Sequence, residues 1–347
     1  MSYRRYSAIT LTIVFLIIFL SFLAELFHFK LTPIRGDLTR IGMHSEFDFG
    51  GTKTEYFFRP ALSKMAEIDT IDDYDIIVIG DSFSTKNLDK AWHNFLQRDL
   101  GLSIGVFDIT KYNLEDIVKS EVYKNNPPKI LIYQSVERNL PSRSYSQSPC
   151  LSINGITTFK PLKPSPLDIK PQPALKNLDL SLQIDRGLRY LKKVLIPNKK
   201  TQILDLSTDD LFTNNSSDRL LIFSEDIENK RHLLLSDWKK IRCGLLEYQD
   251  LVQSNHKTRF VALIAPDKLT AYSKFLKDYN ASNISRYDFL TADQRLNIVP
   301  LNLYFEEAHK KNQKDIYLPN DTHWSSSGNK LVGDAVLDYL TTNTEKN

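Results

Sequence analysis

The chain has 347 residues, carries a net charge of +3, and has the proportions of apolar and charged residues that folded proteins usually have. This length is enough for one large domain or two small ones. Lysine and arginine are spread along the chain, and the lack of a basic tract argues against nucleic-acid binding.

The first thirty residues differ from the rest of the chain. Residues 6–24 contain no charge, and about 20 helical residues cover the roughly 30 Å hydrocarbon core of a bilayer. Arg4 and Arg5 precede this run, which predicts a cytoplasmic N-terminus and an exported remainder. A cleaved signal peptide is the alternative, but residues 22–24 (FLA) fit the small-residue cleavage pattern poorly. We therefore expect 1–30 to be a single-pass anchor in the cytoplasmic membrane, with the rest of the chain periplasmic or extracellular.

Strands and helices alternate after a polar segment at 31–74, which we expect to be a stalk leading into the domain. Short apolar runs predict strands buried on both faces, and amphipathic segments separate them. The predicted strands are 75–80, 103–109, 129–135, 259–266 and 296–301, and the predicted helices are 87–100, 113–125, 236–254, 268–278 and 326–341. This alternation predicts an α/β fold, a three-layer doubly wound (flavodoxin-like) parallel sheet of about five strands.

The alternation is interrupted at about 141–235, which we interpret as an insertion in a domain that spans 75–347. Within it, residues 161–173 contain five prolines in thirteen residues. Proline fixes φ and lacks a donor, so this stretch is expected to be extended and at the surface. Residues 178–195 have the pattern of a helix inside the insertion.

The chain has two cysteines, Cys150 and Cys243. An exported protein can join them, because its compartment is oxidising, and two buried thiols are the alternative. Their spacing does not resemble that of a metal site.

A candidate nucleophile follows the first predicted strand in the sequence GDSFS at 80–84. Ligands of open parallel sheets gather at the carboxyl ends of the strands. Gly80 permits a sharp turn there. The amides of Ser82 and Phe83 would then lie in the first turn of the next helix, where partial positive charge stabilises an oxyanion. A serine needs a base to act as a nucleophile.

His323 is the candidate base among the seven histidines, because it lies in the loop NDTHW just before the last helix. Asp321, two residues earlier, can hold the imidazole Nδ1–H and leave Nε2 facing a serine. The alternative is structural: Asp321 or Ser325 caps the last helix, and His323 and Trp324 only pack. A metal site on Asp321 and His323 lacks a visible third ligand, so we expect no metal, and the triad needs no cofactor.

These blocks resemble the SGNH (GDSL-like) hydrolase superfamily, in which a Gly-Asp-Ser block precedes a late block with Asp and His. The late block is usually Asp-x-x-His, whereas this chain has DTHW at 321–324, followed by Gly328. That version resembles the SGNH-like domains of alginate O-acetylation proteins, as do 80–84, 131–140 and 265–276. The order of the blocks differs, because in the alginate proteins the Asp-His block comes first.

The resemblance implies a membrane-anchored serine acyltransferase that O-acetylates a cell-surface or secreted polysaccharide through an acyl-enzyme. Ser82 is then the nucleophile, His323 the base and Asp321 its orienting acid. An integral membrane acyltransferase would deliver the acetyl group. An SGNH esterase or deacetylase that releases acyl groups to water is the first alternative, and a catalytically silent polysaccharide-binding subunit is the second.

The Gly-x-Asn-Asp block that usually completes the oxyanion hole of this superfamily is missing. The expected oxyanion or substrate contacts are Gly80, Asp81, Gln134, Arg138, Asn139 and Trp324. Gln134 would replace the missing donor, with Arg138 or Asn139 behind it, unless Glu137 and Arg138 form a structural ion pair. Trp324 would form an apolar wall or a sugar-stacking face, unless it packs under the last helix.

Overall fold

A parallel sheet with helices on both faces forms the centre of the fold. The computed structural model describes residues 3–31, 36–147, 150, 159–174, 200–278 and 285–342. The strands are β1 (Tyr56–Phe57), β2 (Lys64–Met65), β3 (Ile76–Gly80), β4 (Ile104–Asp108), β5 (Ile130–Val136), β6 (Gln172–Pro173), β7 (Thr201–Asp205), β8 (Arg219–Phe223) and β9 (Arg259–Ala265). The α-helices are α1 (Tyr3–Leu31), α2 (Asp37–Gly42), α3 (Glu46–Phe49), α4 (Ser82–Thr85), α5 (Trp92–Leu100), α6 (Leu114–Lys119), α7 (Glu121–Asn125), α8 (Leu140–Arg143), α9 (Glu225–Arg231), α10 (Leu235–Gln253), α11 (Lys268–Tyr272), α12 (Tyr287–Thr291), α13 (Leu301–Lys310) and α14 (Ser326–Thr341). Short 3-10 helices lie at Ile68–Asp73, Leu88–Lys90, Glu137–Asn139 and Ser273–Phe275.

The sheet has five parallel strands in the order β2-β4-β3-β5-β9. The chain runs from β3 to β4 on one side and then to β5 on the other side of β3. Ligands of such sheets bind where the strand order reverses, at the carboxyl ends of the strands. The end of β3 is therefore the expected place for a site, and Ser82 begins the helix that follows it.

Alternate residues of β3 enter two different hydrophobic cores. Ile76 and Val78 pack in the core that contains α5, α13 and α14. Ile77 and Ile79 pack in the core that contains α6, α7 and α10. Every residue of β3 and β5 is buried, as expected when helices cover both faces of a parallel sheet. The predicted α/β architecture with a parallel sheet of five strands is confirmed.

One predicted strand is wrong and another element takes its place. The segment 296–301 forms only an isolated bridge, between Ile298 and Ala262. Pro300 directly precedes α13, and proline lacks the N–H that would continue a ladder. The remaining strand is instead β2, which has two residues and pairs with β4.

The two long helices predicted in the second half of the chain are confirmed. The prediction at 236–254 corresponds to α10, and the one at 326–341 corresponds to α14. The helix predicted at 178–195 lies outside the described residues.

Three shorter helices differ from their predictions. The helix expected at 87–100 starts late, because Asn87 adopts a left-handed conformation (φ 53) and a 3-10 turn precedes α5. The one expected at 113–125 divides at Ser120, whose side chain caps α7. The one expected at 268–278 leaves α-helical geometry after α11 and continues as a 3-10 turn.

The N-terminal region begins with α1, a helix of 29 residues. None of the helices in the described part of the chain has the length and hydropathy that crossing a membrane requires. The anchor expected at 1–30 therefore stays a prediction.

The segment 31–74 was expected to be a stalk, but its described part lies on the α/β domain. It provides β2 at the edge of the sheet. Leu38 and Phe49 form a third hydrophobic cluster with Leu221 of β8. The packed domain therefore begins before the expected boundary at residue 75.

The insertion contains an antiparallel hairpin of β7 and β8 and an extended proline-rich segment. The extended segment lies along the protein: the Ser165 N–H donates to the Leu100 carbonyl at 3.1 Å, and the Leu167 N–H donates to the Arg98 carbonyl at 2.7 Å. At its end β6 pairs with β1. Because its backbone groups find partners in the domain, this segment acts as a strap across the helical layer.

Cys150 and Cys243 form a disulfide, which settles the choice that the sequence left open. The bond joins the beginning of the insertion to α10 and closes a segment with a sequence separation of 93 residues. A disulfide is typical of proteins in oxidising compartments.

Removing this disulfide should destabilise the protein without altering the site described below. A Cys243→Ser variant is expected to lose about 2–4 kcal/mol of unfolding free energy, because the crosslink restricts the unfolded chain. Chemical unfolding of the variant and of the wild type, each with and without reductant, measures the loss. Reductant should destabilise only the wild type, and equal stability of the oxidised wild type and the variant would contradict the expectation.

Candidate active site

Ser82, His323 and Asp321 form one hydrogen-bonded chain, as the sequence predicted. The His323 Nε2 atom lies 2.8 Å from the Ser82 Oγ atom. The His323 Nδ1 atom lies 2.6 Å from Asp321 Oδ1, which also accepts the His323 N–H at 2.9 Å. The geometry is that of a nucleophile, a base and an orienting carboxylate, although the serine and the histidine are 241 positions apart.

Asp81 fixes the turn that presents Ser82. Its Oδ1 atom accepts the Phe83 N–H at 3.1 Å and so caps the short helix α4. Its Oδ2 atom accepts the Val136 N–H at 2.8 Å and an Arg143 Nη1 hydrogen at 2.7 Å. Asp81 is buried with its oxygens occupied, so it holds the turn instead of contacting substrate as expected. Arg143, its charged partner, was not identified from the sequence.

Gly80 and Gln134 support the same turn from below. A Cβ atom at Gly80 would lie 2.7 Å from Ser84 Cβ and 2.8 Å from Gln134 Oε1, so the close approach requires glycine. Gln134 Oε1 accepts the Asp81 N–H at 3.0 Å and the Ser84 hydroxyl at 2.9 Å. Gln134 is fully buried with Oε1 toward the turn, and its Nε2 atom makes no hydrogen bond with any described residue, so the expectation that Gln134 donates to an oxyanion stays a prediction.

Arg138 belongs to a buried ionic cluster, not to the triad. Its Nη1 atom donates to Asp267 at 2.7 Å and to Asp226 at 3.3 Å, while Glu137 pairs with Lys230 at 3.3 Å. The expected substrate contact of Arg138 is therefore not met. The alternative of a direct pair between Arg138 and Glu137 is not met either, because each pairs with other residues.

Asn139, the residue proposed beside Arg138, ends a 3-10 turn before α8. Its carbonyl accepts the Ser142 hydroxyl at 2.9 Å. Within the described part of the chain no hydrogen bond joins Asn139 to the triad, and its expected substrate role stays a prediction.

Trp324 lies under the site and not at its surface. Its side chain is 1% exposed, and its ring centroid lies 4.6 Å from that of Phe83. Phe83 in turn lies 4.8 Å from the His323 ring and so forms an aromatic floor beneath the imidazole. Trp324 therefore packs beneath Phe83, as the structural alternative had it. It also lines the small cleft at the triad, but it exposes too little of its ring to stack on a sugar.

Lys268 holds the loop that carries Asp321 and His323. Its buried Nζ atom donates to the carbonyls of Leu318 at 2.8 Å, Pro319 at 2.7 Å and Asp321 at 3.3 Å. Burial outweighs the nearby carboxylates and lowers the pKa of Lys268 to about 7. The sequence had placed this lysine in a family-like stretch without a role, and a lysine directly after a buried strand was the available signal.

Asp37 is a residue at the site that the sequence analysis missed. Its Oδ2 atom lies 3.4 Å from His323 Nδ1, and its own N–H donates to Asp321 Oδ2 at 3.0 Å. It starts α2, in the segment expected to be a stalk. No local pattern identifies it, because its partner Asp321 lies 284 positions away in the chain.

The surrounding charges favour the protonated form of the histidine. Burial alone would lower the pKa of His323, but hydrogen bonds and charge from Asp321 and then Asp37 raise it above its ordinary value. Burial would raise the pKa of Asp321, but His323 and then Lys86 hold it well below its usual range. Lys86 Nζ lies 3.9 Å from both carboxylates. His323 is therefore a strong base beside an anionic Asp321.

A small cleft at the triad is lined by Ser82, Lys86, Asn87 and His323, among others. The Ser82 N–H makes no hydrogen bond with any described residue, so it is free to donate to an oxyanion formed there. A separate cavity of about 430 Å³ lies among residues of α11, α12 and α13 and includes no triad residue.

The fold supplies Asp37 as the third candidate metal ligand, which could not be identified from the sequence. Asp37, Asp321 and His323 each offer a ligand atom within 4.8 Å of the others. Their carboxylate oxygens already accept hydrogen bonds, from Thr322 to Asp37 and from His323 and the Asp37 N–H to Asp321. With Lys86 also 3.9 Å away, this donor set fits the orientation of an imidazole better than the binding of a cation.

Comparison with protein-family models, with curated proteins and with solved structures finds no match to this chain. The resemblance to SGNH-like domains therefore stays a prediction carried by the sequence motifs. What the site can do chemically follows from the geometry of its own residues.

Proposed function

We propose that the chain is a membrane-anchored, exported serine acyltransferase that O-acetylates a polysaccharide. The observation that carries this proposal is the hydrogen-bonded chain of Ser82, His323 and Asp321 at the carboxyl end of β3. A serine hydroxyl held against an oriented imidazole is the arrangement used for covalent acyl transfer.

In the proposed reaction, His323 Nε2 removes the proton from Ser82 Oγ as this oxygen attacks the carbonyl carbon of an acetyl donor. The Ser82 N–H donates to the oxyanion of the tetrahedral intermediate. The bond to the leaving group breaks, and the imidazolium returns its proton to that group. A sugar hydroxyl then gives its proton to His323 and attacks the acyl-enzyme, which releases the acetylated sugar and restores Ser82.

The cellular setting is part of the same proposal. The apolar N-terminal run with Arg4 and Arg5 before it supports an anchor in the cytoplasmic membrane with the domain outside. The disulfide between Cys150 and Cys243 supports an oxidising compartment such as the periplasm. An integral membrane acyltransferase would supply the acetyl donor, and a polysaccharide would be the acceptor.

Hydrolysis is the second candidate, and the placement of Trp324 favours it. The Trp324 side chain, which was expected to stack on a sugar, is 1% exposed although it lines the small cleft, so it offers little ring surface to a sugar acceptor. The same triad transfers an acyl group to water when water occupies the acceptor position. An esterase or deacetylase would need no other change in the site.

An acceptor competition assay separates the two candidates. The full-length protein in detergent would be mixed with p-nitrophenyl acetate and a panel of neutral and acidic oligosaccharides. We expect nitrophenol release together with acetylated sugar detected by mass spectrometry, and a trapped acetyl group on the peptide that contains Ser82. Acetate without acetylated sugar would identify an esterase, and failure to acetylate Ser82 would overturn both candidates.

A further inference from the structure

We propose that Asp37 is a second orienting carboxylate for His323, so that the base is positioned by acids from opposite ends of the chain. This inference rests on the proposed function, because it assigns a role within the same site. Asp37 would act through His323 and its loop and would not touch the substrate.

Asp37 contacts every residue of the loop segment from Asp321 to His323. Its N–H donates to Asp321 Oδ2 at 3.0 Å. Its Oδ1 atom accepts the Thr322 N–H at 2.8 Å, and its Oδ2 atom accepts the Thr322 hydroxyl at 2.6 Å. The same Oδ2 atom lies 3.4 Å from His323 Nδ1. These contacts hold the loop in the register that points the imidazole at Ser82.

The backbone around Asp37 is fitted closely to the same loop. The N–H groups of Leu38 and Thr39 donate to the Asn320 carbonyl at 3.1 and 3.3 Å. A Cβ atom on Gly36 would lie 1.7 Å from that carbonyl oxygen, so only glycine permits the approach. The beginning of α2 is therefore docked on the catalytic loop, and Asp37 has a fixed position there.

Two carboxylates beside one imidazole would repel each other, and the surrounding donors offset this repulsion. The Asp37 N–H binds the partner carboxylate directly, and Lys86 lies 3.9 Å from both acids. The charged groups near His323 include Asp321 on its own loop, Asp37 on α2 and Lys86 after α4, while Lys268 on α11 holds the loop carbonyls. Lys90 lines the same cleft and pairs with Glu55 at 3.9 Å. The two acids together favour the imidazolium that forms during catalysis.

The decisive measurement is the titration of His323 in full-length protein with selectively labelled histidine, in a Ser82→Ala background that cannot turn over. We expect Asp37→Asn to lower the His323 pKa by about one unit, because one nearby negative charge is lost. Asp37→Glu, which keeps the charge, should restore most of the value. This readout does not depend on whether the protein is a transferase, an esterase or neither.

The same shift can be measured from the pH dependence of kcat/KM in the protein with Ser82 intact. A base must be neutral to act, so activity falls as pH drops through the His323 pKa, and the acid limb of kcat/KM should lie above the ordinary histidine value. Asp37→Asn should move this limb about one pH unit lower and reduce kcat about tenfold. Asp48→Asn, an aspartate of α3 in the same N-terminal segment, is the matched control and should change neither.

The outcomes separate the inference from the proposed function. An unchanged His323 pKa in Asp37→Asn would overturn the role of Asp37 even if activity fell. If Asp37→Asn unfolds the protein, Asp37→Glu with a lowered pKa would overturn it, and a retained pKa would support it. A shifted pKa in a protein that never acylates Ser82 would keep the role of Asp37 and reject the acyl-transfer function.

Discussion

Replacing Ser82 with alanine should abolish ester turnover, with kcat/KM at least about 10⁴-fold below that of the wild type. The hydroxyl is the only group in the proposed reaction that forms the covalent bond to the acyl group. Its hydrogen bond in the site is the one to His323 Nε2 at 2.8 Å, so its loss should change the unfolding free energy by less than about 1 kcal/mol. Steady-state hydrolysis of an acetyl ester and thermal unfolding measure the two effects.

The chain provides a matched control two residues away. Ser84 is fully buried, donates to Gln134 Oε1 at 2.9 Å and accepts the Trp92 Nε1 hydrogen at 3.1 Å. Ser84→Ala should therefore reduce stability while retaining turnover at temperatures where the variant is folded. Because triad members act as a unit, Ser82→Ala combined with His323→Ala should be no worse than either change alone. A Ser82→Ala protein within tenfold of wild-type activity would exclude the proposed mechanism.

The triad was predictable from sequence because two local patterns mark it. An apolar strand that runs into Gly80-Asp81-Ser82 places a serine at the carboxyl edge of the sheet. An acid two residues before His323 can orient a histidine within a single loop. Each pattern is short enough to be read locally, and the alternating fold brings the two ends of the chain together.

Asp37 and Lys268 escaped functional prediction because their contacts are made only in the folded chain. Asp37 reaches its partner across 284 positions, and Lys268 reaches the Asp321 carbonyl across 53 positions. No spacing rule relates residues so far apart. The segment that carries Asp37 also lacks periodicity, since its α2 has six residues and β2 has two. A polar sequence of this kind does not distinguish a stalk from a segment packed on a domain.

For Gln134 and Trp324, the sequence predicted a position near the site but not the direction in which the side chain points. Trp324 follows His323 in the chain, and Gln134 lies on β5, which pairs with β3. Both have chemistry suited to a substrate, so a contact was expected. Their orientation is decided by packing: Gln134 fills the space beneath the Ser82 turn, and Trp324 fills the space beneath Phe83. A sequence pattern places a residue at an edge of the sheet but does not determine whether its side chain faces inward or outward.

Substituting Lys268 with methionine should cost about 3–5 kcal/mol of unfolding free energy and reduce kcat at least about a hundredfold. Methionine has a similar volume but cannot donate, so the buried carbonyls of Pro319 and Asp321 would lose their donor, while the Leu318 carbonyl would keep the Asp321 N–H. Each buried acceptor left without a partner costs about 1–3 kcal/mol. The loop would relax, and a displacement of about 1 Å at His323 is enough to lower the rate strongly. Chemical unfolding and ester hydrolysis at a temperature where the variant is folded measure the two losses.

A substitution of Lys230 is the control that distinguishes an effect on the His323 loop from the effect of removing a buried charged side chain. It is buried to the same degree as Lys268, but it pairs with Glu137 and Asp267 in the ionic cluster. Lys230→Met should also be destabilising by about 3–5 kcal/mol, because it leaves carboxylates without their cation. The folded fraction of Lys230→Met should nevertheless turn over at close to the wild-type rate, since the polar partners of the Lys230 side chain among the described residues are Glu137, Asp267 and Thr270, none of which lies in the loop that carries His323. If Lys268→Met loses stability but keeps the wild-type kcat, Lys268 does not position the loop, and the contacts of Asp37 and Phe83 with the loop must be sufficient to hold the base.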